Sequence, residues 1–132
     1  MGYRMPFKVI GDLYGATEGR KQPHRGLDFP QPKGAKVRAV ANGTITQVGF
    51  SEVLGHYVIL LDSKGIFWGF NHLSDTQGMR HGKRVLRGQI IGLVGSTGSA
   101  STGPHLHLTA SKDSHGNLVG LTLDPLKVLK GK

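Results

Sequence analysis

An all-β fold, a single domain of mainly antiparallel sheet with little helix, is what this sequence predicts. Three observations carry that expectation. Short segments rich in β-branched and aromatic residues alternate with turns, and the turns draw on 21 glycines among 132 residues. Two of those turns have hairpin chemistry. Apolar residues at helical spacing are scarce.

Taken in order, residues 37–40 and 44–50 read as strands, joined across Asn42-Gly43, the dipeptide that best tolerates the positive φ values of a tight hairpin turn. Residues 56–62 (HYVILLD) and 66–72 (IFWGFNH) read as a second hairpin across Ser63-Lys64-Gly65. Residues 89–94 form a further strand, closed by Gly95, and residues 105–110 (HLHLTA) the last, entered through Gly103-Pro104. Proline is tolerated at a strand start because its missing N–H falls outside the ladder. Asp124-Pro125 suits the start of one short helix ending in LKVLK, with Asp as the N-cap and Pro in the first turn. Residues 96–103 (STGSASTG) form a small-residue loop before the last strand. They read equally as a plain connection and as a groove wall that lets an extended peptide approach closely.

The composition bounds function. No cysteine is present, which excludes disulfides, thiolate metal sites and cysteine nucleophiles together. Any metal must be held by histidine and carboxylate. The formal net charge is +9, spread in short groups with no run of five. Such a balance fits a solvated basic surface or attraction to an anionic polymer. A nucleic-acid-binding β domain is disfavoured, because the interleaved aromatics and dense Lys/Arg of such surfaces are missing. No apolar run reaches the roughly 18 residues of a membrane span. The opening residues MGYRMPFKVIGD show no secretory signal. The expectation is therefore a chain released from the cytoplasm by another route, or a domain of a larger exported protein.

Three motifs carry chemistry. In His105-Leu106-His107 the imidazoles lie roughly 6.6 Å apart along a strand and face the same side. They can share a metal, or one can ligate while the other handles a proton, or both can be surface residues. In His24-Arg25-Gly26-Leu27-Asp28, positions four apart would lie about 13 Å apart if extended, so the chain must bend for both to reach one ion, and Gly26 permits a bend. His72 ends a predicted strand and is unremarkable alone. Two neutral imidazoles and one carboxylate make a three-ligand zinc site with an open fourth position, the arrangement of catalytic zinc. The other two histidines are then free for acid–base work near neutral pH. His81 and His115, each beside a glycine, match no motif and read as surface residues.

HRGLD, FNHLS and GSTGSASTGPHLHL, in that order, resemble the lysostaphin-type zinc metallopeptidases. The likeness runs over about residues 23–129 and includes KGAKVRAVANGTITQVGF, YVILLD, KRVLRGQIIGLVGSTG and DPLKVL. The resemblance implies one peptidase domain over residues 1–132 with a long groove. It implies zinc, one ion per chain, held by His24, Asp28 and His107, with His72 and His105 as catalytic histidines. The implied activity is endopeptidase cleavage of stem or cross-bridge peptides in bacterial peptidoglycan, the lytic action of a phage endolysin domain among the possibilities. Anionic wall polymers are an expected secondary attraction, and a monomer the expected state. His105 is the expected general base, and His72 the expected hydrogen-bond donor to the developing oxyanion, with the two roles exchangeable. The alternative is a non-catalytic wall-binding or regulatory domain of the same fold, against which the complete five-residue set argues.

Departures from the family pattern are Phe70, where tyrosine is usual, Leu108, where an aromatic is frequent, and His56, where a small polar residue is common. They bear on groove shape and substrate preference. Tyr14 stands upstream of His24, where some members carry a tyrosine that stabilises the transition state.

Overall fold

The computed structural model describes residues 2–117 and 120–131. The expected domain limits at Met1 and Lys132 lie outside the described residues. Eight strands and one helix follow in chain order: β1 (Leu27–Pro30), β2 (Lys36–Arg38), β3 (Gly43–Ser51), β4 (Gly55–Asp62), β5 (Phe67–Asp75), β6 (Arg84–Val85), β7 (Ile90–Val94), β8 (His105–Ser111) and α1 (Pro125–Leu129). Every pairing is antiparallel, and the strands run β1-β8-β5-β4-β3-β6 across the sheet. β7 pairs with β2 and with the end of β5.

The second expected hairpin forms, with Gly65 at φ 83° in its turn. The helix also starts as its sequence suggests. Asp124 accepts a hydrogen bond from Leu126 N–H and Pro125 fills the first turn. No helix among the described residues is long and apolar enough to cross a membrane.

The first expected hairpin does not form. β2 pairs with β7, and the hairpin partner of β3 is β4. Gly43 stays outside the left-handed region, so the tight turn that Asn-Gly favours is not made. Gly43 instead lies within β3, between Asp62 and Val85, where a Cβ would overlap the Leu61 carbonyl. Asn42 Oδ1 accepts a hydrogen bond from Arg87 N–H and so ties this corner to the approach to β7.

Strand alternation sets the core. Leu27 and Phe29 of β1, Trp68 and Phe70 of β5, and Leu106 and Leu108 of β8 are all fully buried. Each such side chain contributes about 1.5–3 kcal/mol of apolar burial. Leu106 and Leu108 face the core, so His105 and His107 face the other way.

At His72 the sheet forks. β5 pairs with β8 up to Asn71 and with β7 from Leu73. Between those two residues His72 takes φ 64°, and two residues of β5 oppose one of β4. This is a β-bulge, which bends the strand and re-aims one side chain. A left-handed conformation is uncommon for a residue with a Cβ and must be held by its surroundings. Here the backbone N–H of His72 donates to Leu54 O at 2.8 Å.

Candidate metal centre

The β1–β8 ladder places Asp28 directly opposite His107. The segment before β1 folds back along it: Gly11 N–H donates to Asp28 O, Asp28 N–H to Asp12 O, and His24 N–H to Ala16 O. This brings His24 beside Asp28. Gly26 lies at a bend of the chain, as expected, with φ outside the left-handed region. Its lack of a side chain serves close approach, since a Cβ there would overlap the Leu108 carbonyl and crowd the His107 ring.

The three expected ligands converge. His24 Nε2 lies 3.1 Å from Asp28 Oδ1, His107 Nδ1 lies 3.0 Å from the same oxygen, and the two nitrogens are 3.1 Å apart. Tetrahedral zinc with bonds of about 2.0–2.1 Å separates its ligand atoms by about 3.3 Å, so the spacing fits to within a few tenths of an ångström. The protons tell the same story. His24 Nδ1 lies 3.0 Å from Leu13 O. A carbonyl only accepts, so that nitrogen carries the hydrogen and Nε2 of neutral His24 presents a lone pair. Three groups able to donate electron pairs therefore face one point, with at most one proton between them, that of His107 in its Nδ1–H tautomer. A cation relieves that arrangement, and these are the residues able to hold one.

Burial alone would raise the Asp28 pKa, but the adjoining His107 and His24 imidazoles outweigh it and hold the carboxyl well below the ordinary range. Burial lowers the His107 pKa. Both effects favour the unprotonated ligand forms.

His72 and His105 stand beside this triad with ring centroids 4.9 Å apart, and His105 Nε2 is 3.7 Å from Asp28 Oδ1. Their Nδ1 atoms are fixed by the two ends of one loop. His72 Nδ1 donates to Thr97 O at 2.7 Å, and His105 Nδ1 donates to Gly103 O at 2.8 Å. In the neutral state each therefore offers a bare Nε2. Burial pushes the His72 pKa down to about 4.

The small-residue loop at 96–103 is thus more than a connection. It fills the fork between β7 and β8 and docks on the β3–β4 turn through Ser99 N–H to Glu52 O and Ala100 N–H to Val53 O. The Thr97 hydroxyl donates to Leu73 O at 2.7 Å and accepts from His56 N–H at 3.1 Å. These contacts were not legible as function in the sequence; the run of small residues was the available signal.

His24, Asp28, His72, His105 and His107 all line one cavity of about 380 Å³, with Arg20 at its edge. The departures from the family pattern lie elsewhere. Phe70 and Leu108 are in the core, and His56 is exposed with its ring 4.9 Å from Phe50. None of the three lines the cavity. Tyr14 spends its hydroxyl on Thr122, 3.0 Å from the carbonyl oxygen and 3.1 Å from the side chain. His81 and His115 are exposed, as expected.

Comparison with known proteins agrees with this geometry. The family described as Peptidase family M23 matches residues 22–119. DD-carboxypeptidase/endopeptidase Mpg of Neisseria meningitidis is 42% identical over 90 residues, covering 66% of this chain and 20% of the relative. Glycyl-glycine endopeptidase ALE-1 of Staphylococcus capitis is 39% identical over 110 residues, covering 81% of this chain and 29% of the relative. The catalytic domain of the antimicrobial peptidase lysostaphin from Staphylococcus simulans matches with TM-score 0.80 at 32% identity, covering 92% of this chain and 91% of that one. The chain thus spans less than a third of the length of these curated relatives.

Proposed function

This chain belongs to peptidase family M23, and from that membership we propose that it is a zinc-dependent endopeptidase that hydrolyses peptide bonds in bacterial peptidoglycan. The observation that carries the reading is the convergence of His24 Nε2, Asp28 Oδ1 and His107 Nδ1 within 3.1 Å of one another, with two further imidazoles facing the same cavity.

His24, Asp28 and His107 would hold one zinc ion. When bound, zinc supplies Lewis acidity and lowers the pKa of a coordinated water towards about 7. The chain's own residues do the rest. His105 takes the proton from the attacking water at Nε2, the nitrogen that its bond to Gly103 leaves bare. The same imidazole then returns the proton to the leaving amine. His72 also presents a lone pair, so it takes the second proton of the water from the hydroxyl of the tetrahedral centre and in doing so becomes the hydrogen-bond donor to that oxygen. Stabilisation of that kind is typically worth about 3–4 kcal/mol.

Residues 1–132 act as one peptidase domain and as a monomer in this reading. Its site of action is the bacterial cell wall, reached by release from a phage-infected cell or within a larger exported protein. The +9 charge supports attraction to anionic wall polymers.

Digestion of purified peptidoglycan of several chemotypes, with mass analysis of the fragments, tests the proposal. Products of peptide-bond hydrolysis, lost on chelation and restored by zinc, are expected. A zinc-loaded protein that releases no such fragment from any chemotype would overturn it.

A further inference from the structure

The cavity holds one charged pair outside the five histidine and aspartate positions. Arg20 Nη2 lies 2.9 Å from Asp12 Oδ2 and 3.7 Å from Asp28 Oδ2, the oxygen turned away from the histidines. Arg20 is the only lysine or arginine among the described residues lining the cavity. Its side chain keeps 31% of its surface open, and that of Asp12 keeps 62%. The backbone N–H of Arg20 donates to Thr17 O in a turn, at the far end of the fold-back that carries His24. The cation therefore reaches the site from one wall.

Two physical points define what it can do. An exposed ion pair has little net strength, so Asp12 holds the guanidinium only weakly. Only Nη2 is engaged, and it carries two N–H bonds, so one planar fork, of Nη2 with Nη1 or with Nε, stays open for the two-pronged contact that a carboxylate matches. A lysine at this place would offer a point charge without that geometry. With a divalent ion held by Asp28, the ion and Arg20 together outweigh the Asp12 and Asp28 carboxylates, so the cluster carries net positive charge.

We propose that Arg20 is a specificity-determining residue that binds a carboxylate of the substrate peptide on one of the two residues flanking the scissile bond. The inference rests on the peptidase reading above and deepens it. It assigns the enzyme to acidic peptides, such as those with a free chain terminus or an acidic side chain next to the cut, and away from uncharged glycine bridges.

The test uses zinc-loaded enzyme and matched peptides. One pair bears a terminal carboxylate or its amide, and a second pair bears a side-chain carboxylate or its amide beside the scissile bond. The pair with the larger acid preference identifies which carboxylate is read. In the unaltered enzyme the acid should be preferred about tenfold in one pair, the scale of a single charge-assisted hydrogen bond, with the difference in KM rather than kcat. Arg20→Gln should collapse that ratio towards one, and Arg20→Lys should restore only part of it. A purely structural effect of the substitution would slow acid and amide alike and leave the ratio intact, which would overturn the proposal. Equal cleavage of acid and amide by the unaltered enzyme would overturn it too, while leaving the peptidase reading standing. Cleavage of none of the four, together with intact peptidoglycan, would remove both.

Discussion

The imidazole Nδ1 of His72 lies 2.7 Å from the carbonyl oxygen of Thr97, and this bond fixes which nitrogen of His72 faces the cavity with a lone pair. Thr97 is itself pinned on both sides, by its hydroxyl to Leu73 O and by His56 N–H to that hydroxyl. A bulge residue at φ 64° and a loop carbonyl thus hold one another in place.

Thr97→Val keeps the shape and removes both hydroxyl bonds. We expect kcat to fall about tenfold, equivalent to roughly 1.4 kcal/mol in the barrier, with zinc content unchanged because Thr97 touches none of the three ligands. Thr97→Ser, which keeps the hydroxyl, should recover most of the loss. Nitrogen NMR of the His72 ring gives the independent readout, since the valine variant should lose the single Nδ1–H tautomer. Unaltered turnover and tautomer in the valine variant would show that the loop carbonyl needs no side-chain support.

The five site residues divide by what their loss removes. His107→Ala and Asp28→Ala should lose zinc and activity together, since ligands supply affinity. His105→Ala and His72→Ala should retain zinc near one per chain while activity drops on the order of 10²–10⁴-fold, the usual contribution of a proton-transfer group. Metal analysis beside the activity assay separates the two classes. An empty site in His105→Ala would make His105 a ligand and require the roles to be redrawn.

The parts of the fold legible in the sequence are those set by local chemistry. Gly65 at the β4–β5 turn and Asp124-Pro125 at the start of α1 act within a few residues of themselves. The strand period put His105 and His107 on one face, because leucines alternate with them. What escaped depends on distant partners. Asn42-Gly43 reads locally as a hairpin, but Gly43 is required beside the Leu61 carbonyl and Asn42 bonds to Arg87. β1 is only four residues long and ends at Pro30, so no periodicity announces it. The continuation of β5 past His72 is hidden because the bulge breaks the two-residue period there. Thr97 and Arg20 gain their roles from segments far away in sequence, and no spacing rule reaches them.

Salt should separate wall attraction from chemistry. The +9 charge favours anionic walls at low ionic strength, and the attraction is screened beyond about 10 Å at 0.1 M. Lysis of whole walls should fall as salt rises, whereas cleavage of a small uncharged peptide, however slow, should hardly change. Both are measured in one salt series on the zinc-loaded enzyme. Equal sensitivity would place the ions' effect on the site or the fold, and would leave the basic surface no part in targeting.

The last prediction concerns stability at Asp62, on the far side of β5 from the metal residues. This buried carboxylate accepts hydrogen bonds from Tyr3 Oη at 2.6 Å, Trp68 Nε1 at 2.9 Å, and the backbone N–H groups of Lys64 at 2.9 Å and Ile66 at 3.0 Å. Burial would raise its pKa, but these four donors outweigh burial and lower it. The sign follows from linkage. A carboxyl whose folded pKa lies below its unfolded value of about 3.9 contributes stability that is fully present above that value. The contribution is lost as pH falls through the lower, folded pKa. Asp62→Asn should cost about 3 kcal/mol at pH 7, because the amide nitrogen cannot accept from Trp68 and Tyr3 and leaves a buried donor unmatched. Denaturant unfolding of both proteins from pH 7 down to pH 2 should show the gap constant to about pH 4 and narrowing below it. Taking the difference cancels the titration of Asp28 and the histidines, which both proteins share. A gap that stayed constant to pH 2 would mean that Asp62 keeps the same proton affinity folded and unfolded, and that its four hydrogen bonds do not favour the charged form.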